Sequence, residues 1–244
     1  SHRTPAAVSL ADYRNRYALY KTDPNLQAAH AAFPWIVTWD DHEVQNNYAG
    51  DRSAFGDSPS AFGRRRAAAY QAYYEHMPLR RDRAPQGSRL QLYRRFTFGD
   101  LAQFNILDTR QYRTQQPCGG GFKSRCQEAF AANATMMGHQ QEQWLFRGLT
   151  RSAARWNILA QQTVLAQFDV DPRSRSELFN LDQWDGYVEA RQRLLKFLAQ
   201  RQPANPIVIT GDVHSSWVHD LKLDFKNPNS PTVGTEFVGT SISS

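Results

Sequence analysis

The spacing of apolar positions changes several times along the chain, and each change marks an element. Residues 11–32 carry helical spacing, with Asp23-Pro24 breaking the stretch into two pieces. Phe33-Pro-Trp-Ile-Val-Thr-Trp39 is a short apolar, β-branched run and predicts a buried strand. Residues 49–60, rich in Gly, Ser, Asp and Pro, predict a loop. Residues 61–77 return to helical spacing, and the stripe Tyr70, Tyr73, Tyr74 predicts core packing. Tyr93–Phe98 and Leu101–Leu107 flank Gly99-Asp100 and predict a hairpin. A helix is predicted over 139–152, and another over 186–201 with Leu194, Leu195 and Leu198 on its buried side. Trp156–Leu159, Pro206–Thr210 and Thr235–Val238 predict further strands. Strands and helices share the chain throughout, and no repeat or low-complexity linker interrupts them. This favours one layered α/β or α+β domain spanning residues 1–244.

Composition narrows the class. At 244 residues with 41% hydrophobic and 12% aromatic content, the chain can bury a core and is not disordered. Mean hydropathy is −0.65, and no apolar run approaches the roughly 18 residues of a membrane span. Collagen, coiled coil and small disulfide scaffold are excluded as well. The chain starts at Ser1 without a targeting pattern, and Gly239–Ser244 follows an apolar stretch directly; both ends read as truncations. Cys118 and Cys126 flank a Gly-rich loop. They read as a short disulfide suited to an oxidising compartment, the alternative being two unrelated thiols.

The net charge is +6, and Lys occurs only at 21, 123, 196, 222 and 226, so 24 of the 29 basic residues are Arg. A guanidinium fork suits phosphate and carboxylate, so this balance favours anionic ligands. Compositional bias with solubility is the plainer reading, and composition alone favours it. No basic run exceeds Arg64-Arg65-Arg66.

The chemistry gathers where apolar runs end. Ile36–Trp39 leads into Asp40-Asp41-His42-Glu43, Phe104–Leu107 into Asp108-Thr-Arg110, Trp156–Leu159 into Gln161-Gln162, and Ile207–Thr210 into Gly211-Asp212-Val-His214. Ligands bind beyond the carboxyl ends of buried strands, so the four ends predict one convergent polar site. Carboxylates beside imidazoles, with Asn46 and Asn47 as carbonyl donors, suit calcium, manganese, iron or zinc. Taken singly, each end has a plainer reading: an acidic helix cap, a turn, a local salt bridge, a polar loop. Only their recurrence after apolar runs argues for a site. His30, His76, His139 and His219 lack such a setting and read as structural or exposed, and His2 as a terminal residue without a role.

At these residues the sequence resembles a known family. Ala11–Pro24 followed by Phe33–Glu43, Leu107-Asp-Thr-Arg-Gln-Tyr-Arg113, Asp182-Gln-Trp-Asp-Gly-Tyr187, Gly211-Asp-Val-His-Ser-Ser216 and Gly239–Ser244 are similar to the PhoD-type alkaline phosphatases. The resemblance implies a calcineurin-like metallophosphoesterase fold, a sandwich of two mixed sheets flanked by helices. It implies a secreted or periplasmic enzyme, acting as a monomer on small phosphomonoesters and phosphodiesters at alkaline pH, with calcium and iron. By position, Asp41, Asn46, Asp212 and His214 resemble metal ligands, and His42 a phosphate-contacting histidine. Arg110 is the expected phosphate clamp. The family's earlier metal-binding blocks, a first Asp and a Gly-Asp-x-x-Tyr, have no counterpart before Asp40. The chain therefore reads as a fragment lacking the opening strands.

Two other classes compete. A basic nucleic-acid-binding module would account for the charge, but no binding motif or Arg stripe accompanies it. A glycoside hydrolase would account for six Trp and several carboxylate pairs. It would use no metal, and the His residues beside the Asp pairs argue against it.

Overall fold

Ser9 begins the first helix for a local reason. Its hydroxyl accepts from the Asp12 amide at 3.2 Å while Asp12 Oδ2 accepts from the Ser9 amide at 2.8 Å, a reciprocal cap for α1 (Leu10–Lys21). The chain is seen in a computed structural model that describes residues 5–173 and 176–241. His2 and the last three residues of the Gly239–Ser244 block lie outside them. Asp23 caps α2 (Pro24–Ala32), and Pro24 sits where its missing N–H costs nothing. The predicted break between the helices is thus a cap. Ser58 does the same for α3 (Pro59–His76), again with Pro in the first turn.

The chain forms two compact units, up to Leu92 and from Tyr93 onward. Each has its own hydrophobic cluster. In the first unit, Tyr13 of α1 and Phe62, Tyr70 and Tyr73 of α3 close around Trp39, Val44, Tyr48, Leu90 and Leu92. Trp39 stacks on Tyr70 with ring centroids 4.3 Å apart. The tyrosine stripe is core, as its spacing predicts. Among the described residues of the first unit taken by itself, Phe33–Trp39 joins no sheet, where the sequence predicts a buried strand. Of the run, only Trp39 is buried, while Phe33 is 67% exposed.

The second unit is built on a sheet. In chain order it contains β1 (Arg94–Phe98), β2 (Ala102–Ile106), β3 (Phe122–Lys123), α4 (Gly138–Thr150), β4 (Trp156–Ala160), β5 (Phe179–Asn180), α5 (Val188–Arg201), β6 (Pro206–Thr210), β7 (Trp217–Lys222) and β8 (Thr232–Val238). Six strands form a mixed sheet in the order β1-β2-β4-β6-β8-β7. β2, β4, β6 and β8 run parallel, and antiparallel β1 and β7 close the two edges. β3 and β5 make a separate two-stranded sheet. Leu145 and Leu149 of α4 and Leu194, Leu195 and Leu198 of α5 pack with Leu159, Val208, Leu221 and Val238 of the sheet. A mixed sheet with flanking helices is the α/β layering the sequence calls for. β7 escaped prediction because Trp-Val-His-Asp-Leu-Lys places only one buried residue, Leu221, in six. Cys118 and Cys126 form a disulfide.

Candidate functional site

The first unit carries Asp41, His42 and Asn46 on one tight turn. Asp41 organises it: its carbonyl accepts the amides of Val44 and Gln45 at 2.8 and 2.7 Å. Its buried carboxylate accepts the amides of His42 at 2.9 Å and Asn47 at 2.7 Å. Asn47 adopts the left-handed region, with φ 52°, as an Asn can. A carboxylate is a ligand type that hard cations take, so Asp41 is a candidate donor. The side chain of His42 is 68% exposed, and its Nε2 lies 3.0 Å from Asn46 Oδ1. Tyr13 braces the turn from α1 by donating to the Val44 carbonyl.

The second unit joins three of the predicted strand ends in one hydrogen-bonded network. Beyond β2, Arg110 is fully buried, and its guanidinium forks between two carboxylates. Nη1 donates to Asp182 Oδ2 at 2.6 Å and Nη2 to Asp212 Oδ1 at 2.8 Å. The residue expected at a phosphate is thus found holding Asp212 in place. Asp182 also accepts from Arg113 Nη2 at 2.8 Å and Gln116 Nε2 at 2.7 Å. Burial disfavours its charge, but Arg110, Arg113 and Gln116 outweigh burial and hold the carboxyl well below the usual carboxylate range. The second oxygen of Asp212 accepts from Gln183 Nε2, and Gln183 Oε1 accepts the Val164 amide at 2.7 Å.

Beyond β4, the two glutamines tie loops together. Gln162 Oε1 accepts the amide and hydroxyl of Thr109 at 2.8 and 2.7 Å, and its Nε2 donates to the Leu107 carbonyl at 3.1 Å. Gln161 Oε1 accepts from Trp184 Nε1 at 3.0 Å. Both glutamines are buried: Gln162 ties down the loop carrying Arg110, and Gln161 the Trp184 indole.

Beyond β6, Asp212 and His214 both adopt positive φ, 69° and 55°. Such conformations cost side-chain-bearing residues of order 1–3 kcal/mol and gather where function fixes the backbone. His214 is exposed, and Asp212 keeps 15% of its side chain accessible. With two hydrogen bonds on four acceptor positions, Asp212 retains capacity for a cation, and the His214 imidazole is a ready nitrogen donor. The donor set fits a hard or borderline metal.

Sequence reasoning missed Asp182 and Gln183 as parts of this network. Their only signal was the Asp182-Gln-Trp-Asp185 block, where two acids flank a Trp. The other histidines fall where expected: His76 Nδ1 lies 2.7 Å from the Ala72 carbonyl, His30 stacks on Trp35, His139 is exposed, and His219 packs beside Phe168.

Comparison with known proteins gives the class. The family model described as PhoD-like phosphatase matches residues 1–244, and the chain belongs to that family. It is 52% identical over 244 residues to alkaline phosphatase D of Bacillus subtilis (strain 168), covering all of this chain and 42% of that relative. A solved structure described as "Structure of PhoD" superposes with a TM-score of 0.96 at 52% identity, covering 100% of this chain and 47% of the other. The chain thus spans less than half the length of the relatives it matches.

Proposed function

We propose that this chain contributes to a metal-dependent phosphoester hydrolase acting on small phosphomonoesters and phosphodiesters at alkaline pH. Asp41 and Asn46 in the first unit, and Asp212 and His214 in the second, would supply metal ligands. Calcium and iron suit their oxygen and nitrogen donors. A bound cation supplies positive charge against the phosphoryl oxygens. The chain's own residues do the rest. Arg110 fixes Asp212 by a charge-assisted bond, with Asp182 as its counter-charge. Arg110 therefore acts through Asp212. His42, exposed on the turn that carries Asp41 and Asn46, would contact the phosphate. The disulfide and the family suit a secreted or periplasmic setting, and the protein would work as a monomer.

The observation that carries this reading is the Arg110–Asp212 bond at the start of a left-handed Asp-x-His turn. A merely structural salt bridge needs no strained turn beside it. The test is hydrolysis of p-nitrophenyl phosphate and its bis ester with calcium and iron, with and without chelator. Asp212→Ala and His214→Ala should each abolish turnover and lower bound metal. Variants with full rate and full metal content would overturn the assignment.

A further inference from the structure

The Cys118–Cys126 disulfide encloses β3, whose partner is β5, with Phe122 opposite Asn180 and Lys123 opposite Phe179. The contact continues past β5, where the Leu181 amide donates to the Gly121 carbonyl at 2.9 Å. Just ahead of the loop, Gln116 Nε2 donates to Asp182 Oδ1 at 2.7 Å. Residues 181 and 182 are thus gripped at two points. From there two paths lead to Asp212. Asp182 Oδ2 accepts from Arg110 Nη1, and Arg110 Nη2 donates to Asp212 Oδ1 at 2.8 Å. The neighbouring Gln183 Nε2 donates to Asp212 Oδ2. Both oxygens of Asp212 are therefore held, directly or through Arg110, by one short segment.

The grip depends on the bridge. β3 is two residues long, too short a ladder to hold itself. Gly119-Gly120-Gly121 pays the full entropic cost of being fixed. Ser124 Oγ and Arg125 Nη2 tie the later part of the loop to Glu177 at 2.8 and 3.3 Å, so opening the bridge frees chiefly the glycine run. The bridge is open to attack, because Cys126 is exposed and Cys118 half-buried. We propose that the Cys118–Cys126 loop is a redox-sensitive clamp on Asp212. A dithiol reductant passes two electrons and two protons to the bridge sulfurs, leaving two Cys thiols and its own disulfide. Gly121 then releases Leu181, and the segment 181–183 no longer fixes the Asp212 carboxylate. The proposal rests on the phosphoester reading above only through the role of Asp212 as a metal ligand. Groups that hold a metal ligand in place are worth roughly 10–100-fold in metal affinity.

The test compares the oxidised protein with protein reduced by dithiothreitol and then freed of it. Calorimetry measures calcium affinity, and amide hydrogen exchange follows Leu181. Calcium is the probe because it takes oxygen donors and leaves thiols alone. Reduction should weaken calcium binding about tenfold and speed Leu181 exchange, and reoxidation should restore both. Cys118→Ser with Cys126→Ser should match the reduced protein and ignore dithiothreitol. Gln183→Ala, with the bridge intact, should also weaken calcium binding. Leu198→Ala, a core change in α5, should lower Tm yet leave calcium affinity within twofold. Equal calcium loss in Leu198→Ala and on reduction would overturn the clamp, since general loosening would then account for both. A lower Tm on reduction with unchanged calcium affinity and unchanged Leu181 exchange would overturn it too, and leave the hydrolase reading intact. If no state binds calcium, the metal site of that reading falls. Leu181 exchange then decides the clamp alone: faster exchange on reduction supports it, and unchanged exchange overturns it.

Discussion

Arg110 and Asp212 lie 102 residues apart in sequence and 2.8 Å apart in space, with the guanidinium fully buried. Asp182 completes the arrangement on the other side of the fork at 2.6 Å. One buried cation thus serves the buried Asp182 and the part-buried Asp212, and Arg113 helps with Asp182. Removing the cation leaves charge behind. Arg110→Ala should therefore destabilise by about 3–5 kcal/mol, the cost typical of breaking a buried pair. Urea denaturation checks this. Adding Asp182→Asn should recover part of the loss, because the two residues share one network.

Glu236 on β8 gives a pH dependence of defined sign. It is fully buried, with Oε1 accepting the Leu165 amide at 2.7 Å and Oε2 the Ala166 amide at 3.0 Å. Burial pushes its pKa up to about 7, against the opposing pull of those amides. The folded form then binds a proton that the unfolded chain has already released. Its stability contribution is complete below the ordinary Glu range near pH 4.3, declines as pH rises, and is lost above about 7. Glu236→Gln should flatten the stability profile between those limits. Asp182 has the opposite sign. Its depressed pKa contributes above the ordinary Asp range near pH 3.9, and the contribution is lost as pH falls below it. Chemical denaturation across pH 3–8 separates the two.

Gly186 precedes α5 where the backbone passes close to Leu181. A methyl group on it would sit 2.3 Å from the Leu181 carbonyl oxygen. Backbone cannot swing aside, so Gly186→Ala should cost roughly 1–3 kcal/mol. Gly63, inside α3, has nothing within 4 Å of the same position. There Gly63→Ala should stabilise by about 0.5–1 kcal/mol, through helix propensity alone. Thermal melts of the two variants should move in opposite directions.

The Cys118–Cys126 bridge closes a loop with a sequence separation of 8. Loop-closure entropy for so short a ring suggests about 2–3 kcal/mol. Reduction, or Cys118→Ser with Cys126→Ser, should lower stability by that amount. Limited proteolysis should then cut first between residues 118 and 126.

Much of the fold was legible because its signals are local. Asp23-Pro24 and Ser58-Pro59 contain their own caps, and the tyrosine spacing of α3 declares its buried face. The hairpin around Gly99-Asp100 needs only its own turn. Phe33–Trp39 predicts burial along the whole run, but only Trp39 is buried. β7 was hidden because an edge strand with exposed polar positions has no distinctive period.

The candidate site divides in the same way. Asp41-His42 and Asp212-x-His214 stand out as donor-rich clusters after apolar runs, and chain order alone places them there. The role of Arg110 does not follow from Asp108-Thr-Arg110. Its two partners lie in other loops, and the parallel pairing of β2, β4 and β6 brings the strand ends of the second unit together. Amino-acid type determined which groups could bind a cation or an anion. Tertiary structure decided which charges were already spent on each other, because a buried guanidinium must find its counter-charge inside the protein.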